Sequence, residues 1–250
     1  MRIKLKSKQE IELMRKSGRA AQKLLHTLGE AVQEGVTPKE LDVLARGWLS
    51  KNGARSPFLG HHGFPATITI SVNEAVVHGI PTNAPFRSGD IVSVDVGTVV
   101  NGFVGDNAWT YGVGEVSPRA ARLMRVAEEA LFLGIKAAQP GNRVGDISWA
   151  IQEHCEAHGY SLVRSLCGHG VGREMWEEPQ VPNYGKPGRG PVLKPGMTIA
   201  IEPMVNEGGE DVRQLPDKWT YVTVDGKLST HCEHTVAILS DGPEILTSLN

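Results

Sequence analysis

The chain carries the same punctuation twice. Gly35 and Gly53 lie 18 residues apart, and so do Gly141 and Gly159. His62-Gly63 follows the first pair by nine residues, and His169-Gly170 follows the second by ten. Between these marks the periodicity gives one order in each half: helix, helix, then strands. Strands gathered after a pair of helices, rather than alternating with them, predict an α+β fold with an antiparallel sheet and not a doubly wound parallel one. The spacing is therefore read as a duplication, with halves of about 1–112 and 113–250 facing each other across a pseudo-two-fold axis. No low-complexity linker separates them, so one domain is expected over 1–250.

Local signals place the elements. Ser7-Lys8-Gln9-Glu10 is a capping box, and Ile11, Met14, Leu24, Leu25, Leu28 and Val32 form the stripe of a long amphipathic helix ended by Gly35. Thr37-Pro38-Lys39-Glu40 opens a second helix with Leu41, Leu44, Trp48 and Leu49 inward, stopped at Asn52-Gly53. Ser117-Pro118 opens a third helix to about Ala138, and a fourth begins near Asp146 and ends at His158-Gly159. Ala66 to Ser71, Ile91 to Val100, Met197 to Val205 and Thr230 to Leu239 read as strands.

Composition narrows the class. The net charge of −2 gives no reason to expect nucleic acid or an anionic membrane as partner, and no apolar run approaches the length of a bilayer span. Cys155, Cys167 and Cys232 make an odd count with no CxxC pair, which argues against a disulfide scaffold or a zinc ribbon. A soluble, cytoplasmic monomer is expected.

Acids in apolar strands carry the chemistry. In IVSVDVGTVVNGFVGDNAWTYG, residues 91–112, Asn101-Gly102 is a type I′ hairpin signal. That loop sets Asp95 opposite Ala108 and makes Asp106 its diagonal neighbour on one face, about 7 Å away at the backbone. Two such carboxylates among valines repel each other unless one is protonated, the face is solvated, or a cation lies between them. Glu202 in MTIAIEPMV and Glu233 in HCEHTVAIL are equally out of place in apolar strands. Together with His169, set between Gly168 and Gly170, the shared explanation is a metal site of mixed oxygen and nitrogen donors. Glycines there would let the backbone fold tightly around a crowded imidazole. Magnesium, manganese, iron, cobalt and zinc all stay open.

Asp95, Asp106 after a glycine, His169 in GHGVG, Glu202 in IEPM and Glu233 in EHT, in this order and spacing, resemble methionine aminopeptidase of the short bacterial type. The likeness extends over the whole chain through HHGFP (61–65), NEAVVHGIP (73–81) and KPGM (194–197). It implies the pita-bread fold of creatinase and the aminopeptidases. It implies two divalent ions, manganese, iron, cobalt or zinc. Asp95 would chelate one, Asp106 and Glu233 would bridge the pair, and His169 and Glu202 would complete the second. It also implies removal of the initiator methionine from nascent chains with a small second residue, Glu202 acting as general base and the ribosome being a candidate contact. His78, which alone reads as a surface or core-edge histidine, would touch the substrate near the scissile amide.

The resemblance fails at one conspicuous place. The family carries a second histidine, in Phe-His-Glu-Glu-Pro, where this chain has Met175-Trp176-Glu177-Glu178-Pro179. An indole offers one N–H and no titratable nitrogen. His61, Phe64, Thr69, Met175 and Trp219 stand where the family lines its slot for the first side chain, and His61 and Thr69 depart from the usual residues. The expectation is a metal site complete in its ligands with impaired or redirected catalysis. Two alternatives remain: an aminopeptidase of the same fold with another preference, such as cleavage before proline, and a non-catalytic paralogue that binds peptides or a protein partner.

Overall fold

A computed structural model describes residues 3–249; Met1, Arg2 and Asn250, which the expected domain includes, lie outside the described residues. The chain begins with helices α1 (Lys8–Ala31) and α2 (Pro38–Lys51). Strands β1 (Thr69–Val72), β2 (Ala75–Val77), β3 (Ile91–Val100) and β4 (Phe103–Gly112) follow. The second half repeats this with α3 (Pro118–Ala137) and α4 (Val144–Ala157), then β5 (Ser161–Leu162), β6 (Gly168–Gly170) and β7 (Glu177–Val181). It continues with β8 (Thr198–Ile201), β9 (Met204–Asn206), β10 (Val212–Gln214), β11 (Tyr221–Thr223) and β12 (Ser229–His231). It closes with β13 (Glu233–Leu239) and β14 (Gly242–Ile245).

The main sheet has eight strands among the described residues, in the order β1-β3-β4-β13-β8-β6-β7 with β14 beside β13. Every pairing in it is antiparallel. The seam between the halves is short: only Glu233 opposite Ala108 and His234 opposite Asn107 pair β13 with β4. Two further three-stranded sheets, β10-β11-β2 and β12-β9-β5, cross from one half to the other or brace the second. The hydrophobic core divides in the same way. Leu24, Leu28, Leu41 and Leu49 of α1 and α2 pack on Val92, Val94 and Val96 of β3. Leu123, Leu131, Ile147 and Ile151 of α3 and α4 pack on Ile199, Ile201 and Val236. This is the duplicated helix-helix-strand architecture around an antiparallel sheet, the pita-bread fold.

Both N-terminal capping boxes form: the Ser7 and Thr37 hydroxyls accept from the amides of Glu10 and Glu40, whose carboxylates accept in return. One inward residue of α2 does not hold. Leu44 is 39% exposed, because the buried face runs through Leu41, Asp42, Ala45 and Leu49 and leaves Leu44 at its edge. Two long strands are also corrected. The run from Met197 to Val205 breaks at Glu202-Pro203, since proline has no N–H for a ladder. The run from Thr230 to Leu239 breaks at Cys232, where β12 leaves for β9 while β13 joins β4 and β8. Each break puts a carboxylate at the end of a strand rather than in its middle.

Candidate metal centre and substrate slot

The hairpin forms in the expected register: Asn101 and Gly102 both take positive φ, Asp95 lies opposite Ala108, and Asp106 lies opposite Gly97. Asp95 on β3 and Asp106 on β4 therefore project from one face of the sheet. The other three residues arrive from the second half: His169 from β6, Glu202 from the break after β8, and Glu233 as the first residue of β13. Asn183 Nδ2 holds the main-chain carbonyl of Glu202 at 2.9 Å. The glycines beside His169 serve a different purpose from the one expected. Neither has positive φ; a methyl on Gly168 would strike the Ala200 carbonyl and one on Gly170 the Glu178 carbonyl. They permit strands to approach closely around the imidazole, not a turn.

All of these side chains border one cavity of about 240 Å³, together with His78 and His231. His169 Nε2 is 3.6 Å from an Asp106 oxygen and 3.5 Å from a Glu202 oxygen. Donor atoms of Asp106, His169 and Glu233 lie within 4.8 Å of one another, and so do those of Glu202, His231 and Glu233. Glu233 is common to both groups. His231 was not singled out by sequence. No local signal marks it, because His231 reaches the cavity from β12, on a different sheet from Glu233 of β13.

Among the described residues no lysine or arginine lines this cavity. Burial pushes the carboxyls of Asp95, Glu202 and Glu233 well above their ordinary range, and the negative charge of Asp106 pushes each further. Asp106 itself is raised to about 7, chiefly by burial. Burial lowers His169 to about 4 and His231 to about 3, so at neutral pH both imidazoles are uncharged and offer a lone pair. Asp95 Oδ1, Asp106 Oδ1, Glu233 Oε1 and His231 Nε2 are buried without a hydrogen-bond partner among the described residues. Orphaned acceptors around a space with no protein cation are the donor set that divalent ions require. The residues fit the metal.

A pH dependence follows from the signs. A carboxyl raised in the folded state holds its proton after the unfolded chain has lost it, so stability falls as pH rises from about 4 toward the folded value. The depressed histidines oppose this, but only up to about pH 7, above which they are neutral in both states. Above that pH the carboxyls that burial still holds protonated continue to lower stability, and the raised thiols of Cys155, Cys167 and Cys232 add to the fall as the pH nears their unfolded range. The metal-free protein is expected to lose about 1.4 kcal/mol per pH unit for each proton it still retains. Divalent metal removes the carboxyls' share of the loss, because it binds the ionised form. Thermal melts at pH 7 and 8.5, with chelator and with manganese, check this; a chelated protein whose Tm holds steady or rises contradicts it.

Beside the metal cavity lies a smaller slot of about 120 Å³, lined by Phe58, His61, His62, Phe64, Thr69, His78, Trp176 and Trp219. That is comparable with the ~150 Å³ that admits a benzene ring, room for one side chain. Phe64 and Trp219 meet edge to face at 5.0 Å between centroids. Phe58 and His62 were missed in the sequence, the first because a lone phenylalanine reads as core. Met175 is corrected: it is buried against Phe64 and Val171 and borders the metal cavity, not the slot. Thr69 lines the slot and also donates to Asp95 Oδ2 at 3.3 Å. Phe58, His78 and Trp176 border both cavities. His78 takes positive φ at 59°, which turns the chain at this shared wall. Trp176 is 44% exposed, stacked 4.3 Å from the His61 ring and 6.1 Å from that of His169. Its loop is held by Glu177, which pairs with buried Lys6 at 2.7 Å and accepts from the amide of Arg173.

The family model for metallopeptidase family M24 matches residues 12–240. A methionine aminopeptidase of Clostridium perfringens is 52% identical over 245 residues, 98% of each chain. The chain belongs to the methionine aminopeptidases of metallopeptidase family M24. Methionine aminopeptidase 1 of Bacillus subtilis is 47% identical over 97% of this chain and 98% of its own length. The crystal structure of the family member from Rickettsia prowazekii superposes with a TM-score of 0.97 at 38% identity, covering 99% of this chain and all of that one. A prolidase of Pyrococcus horikoshii shares the fold at 23% identity and a TM-score of 0.79, over 98% of this chain and 64% of its own. Metal-dependent aminopeptidase chemistry is thus the family's, and no helix of the described residues is long and apolar enough to cross a membrane.

Proposed function

We propose that this chain removes the N-terminal methionine from polypeptides whose second residue is small, using two divalent ions held by Asp95, Asp106, His169, Glu202 and Glu233. In this reading Asp95, Asp106, His169, Glu202 and Glu233 would hold the ions between them. The observation that carries it is the pairing of two cavities. A set of buried, orphaned carboxylates and neutral imidazole stands next to an aromatic slot sized for one side chain. When bound, the ions supply Lewis acidity, lowering the pKa of water and polarising the scissile carbonyl.

The protein's own groups do the rest. Phe64 and Trp219 seat the thioether side chain, and the slot's volume of about 120 Å³ suits one side chain. His78, on the wall common to slot and metal cavity, orients the scissile amide. Glu202 borders the cavity, and ionised beside the bound ions its carboxylate would take the proton of the attacking water and pass it to the leaving amine. Trp176 stands where the resemblance places a second histidine. It gives at most one neutral N–H to the carbonyl oxygen as charge develops, which leaves the reaction slower than the parts otherwise allow.

Hydrolysis of Met-Ala-Ser is expected to vanish on chelation and to return with added manganese or cobalt. Leu-Ala-Ser and Ala-Pro peptides are expected to remain uncut under the same conditions. Cleavage that survives exhaustive chelation, or that prefers the proline peptide, would overturn this reading.

A further inference from the structure

The ligand set implied by the resemblance has one imidazole, His169; the cavity is bordered by two more, His78 and His231, and of these only His231 has its nitrogen near two of the carboxylates. His231 is 2% exposed, and its Nε2 is buried with no hydrogen-bond partner among the described residues. That atom lies 3.8 Å from Glu202 Oε2 and 3.7 Å from Glu233 Oε2. These separations are too long for hydrogen bonds. They suit two donors on one ion: atoms each about 2.1 Å from a metal stand about 3–4 Å apart for angles of about 90–130°. His169, the expected imidazole ligand, shows the same spacing to its own carboxylates, 3.6 and 3.5 Å.

The main chain that carries the ring is also held in place. Thr110 Oγ1 accepts from the His231 amide at 3.1 Å and donates to its carbonyl at 2.8 Å, clamping the residue at both ends. On its other side β12 pairs His231 with Met204 of β9. A side chain launched from a fixed backbone, with its nitrogen aimed between two carboxylates, is arranged to bind rather than to fill space.

We infer that His231 is a sixth protein ligand of this centre, sharing an ion with Glu202 and Glu233. The inference rests on the metal reading proposed above. It makes the centre richer in nitrogen than its resemblance implies. An added imidazole favours cobalt, zinc or iron over manganese, which prefers oxygen donors.

The test uses the full chain in three forms, unaltered, His169→Ala and His231→Gln, titrated calorimetrically with cobalt and with manganese. His231→Gln is expected to weaken cobalt binding at one site by at least about 10-fold, the scale on which even supporting residues act, and to weaken manganese binding less. Pulsed electron paramagnetic resonance of the manganese-loaded unaltered protein is expected to show two imidazole nitrogens, one of which disappears in each variant. The unaltered protein alone gives the count, so a variant that fails to fold leaves the test standing. A single nitrogen in the unaltered protein, or cobalt affinity unchanged in His231→Gln while His169→Ala loses metal, overturns the inference and leaves the metal reading intact. Unaltered metal binding in both variants overturns the metal reading itself.

Discussion

Glu202→Gln is expected to lower kcat for Met-Ala peptides by about 10²–10⁴-fold, the contribution of a positioned general base. The substitution keeps the shape and the main-chain contact, since Asn183 bonds the Glu202 carbonyl and not its side chain. What it removes is an oxygen that can take a proton. KM should change little, because the slot is built from Phe64, Trp219 and neighbours that do not touch position 202 in its lining. The same oxygen is read as a metal donor, so metal content is measured beside the kinetics. A fall in kcat at saturating metal assigns the loss to proton transfer. Glutamine supporting kcat within threefold of the unaltered chain would remove Glu202 from the chemistry.

Trp176→His is expected to act in the opposite direction and raise kcat by up to about 10²–10³-fold, the worth of one donor aimed at a developing oxyanion. The position tolerates the change sterically. Trp176 is partly exposed, it borders the mouths of both cavities, and its loop is anchored by Lys6 and Glu177 rather than by the indole. A smaller imidazole gives up the stack on His61 but gains a nitrogen that can carry charge. The gain should sit in kcat with little change in KM, since the donor strengthens as charge builds and not before. Equal or lower kcat in the variant would show that the indole N–H, or a group beside it such as His61, already serves the oxyanion.

Much of the site was legible because its signals are local. Asn101-Gly102 dictates a hairpin by backbone conformation alone, and the hairpin fixes Asp95 and Asp106 on one face without any tertiary knowledge. The capping boxes at Ser7 and Thr37 were equally local. What could not be read were long-range choices. Nothing in residues 228–236 says that the chain changes sheets at Cys232, which sends β12 to β9 and lets His231 face Glu202 from a separate strand. The meaning of Gly168 and Gly170 was likewise hidden, because the carbonyls they make room for belong to Ala200 and Glu178 across the sheet. Leu44 failed for a simpler reason: Asp42 takes a place on the buried face by accepting from the amides of Thr67 and Ile68, and a pattern of apolar residues cannot foresee a buried acid with such partners.

Everything functional depends on cations occupying the space between these acids. Crystals soaked in manganese and measured at its absorption edge report that directly. The expected anomalous map has two peaks about 3.5–4 Å apart, both inside the cage of Asp95, Asp106, His169, Glu202 and Glu233. A protein that hydrolyses Met-Ala peptides while its crystals show no peak there, or show manganese only elsewhere, would contradict the account.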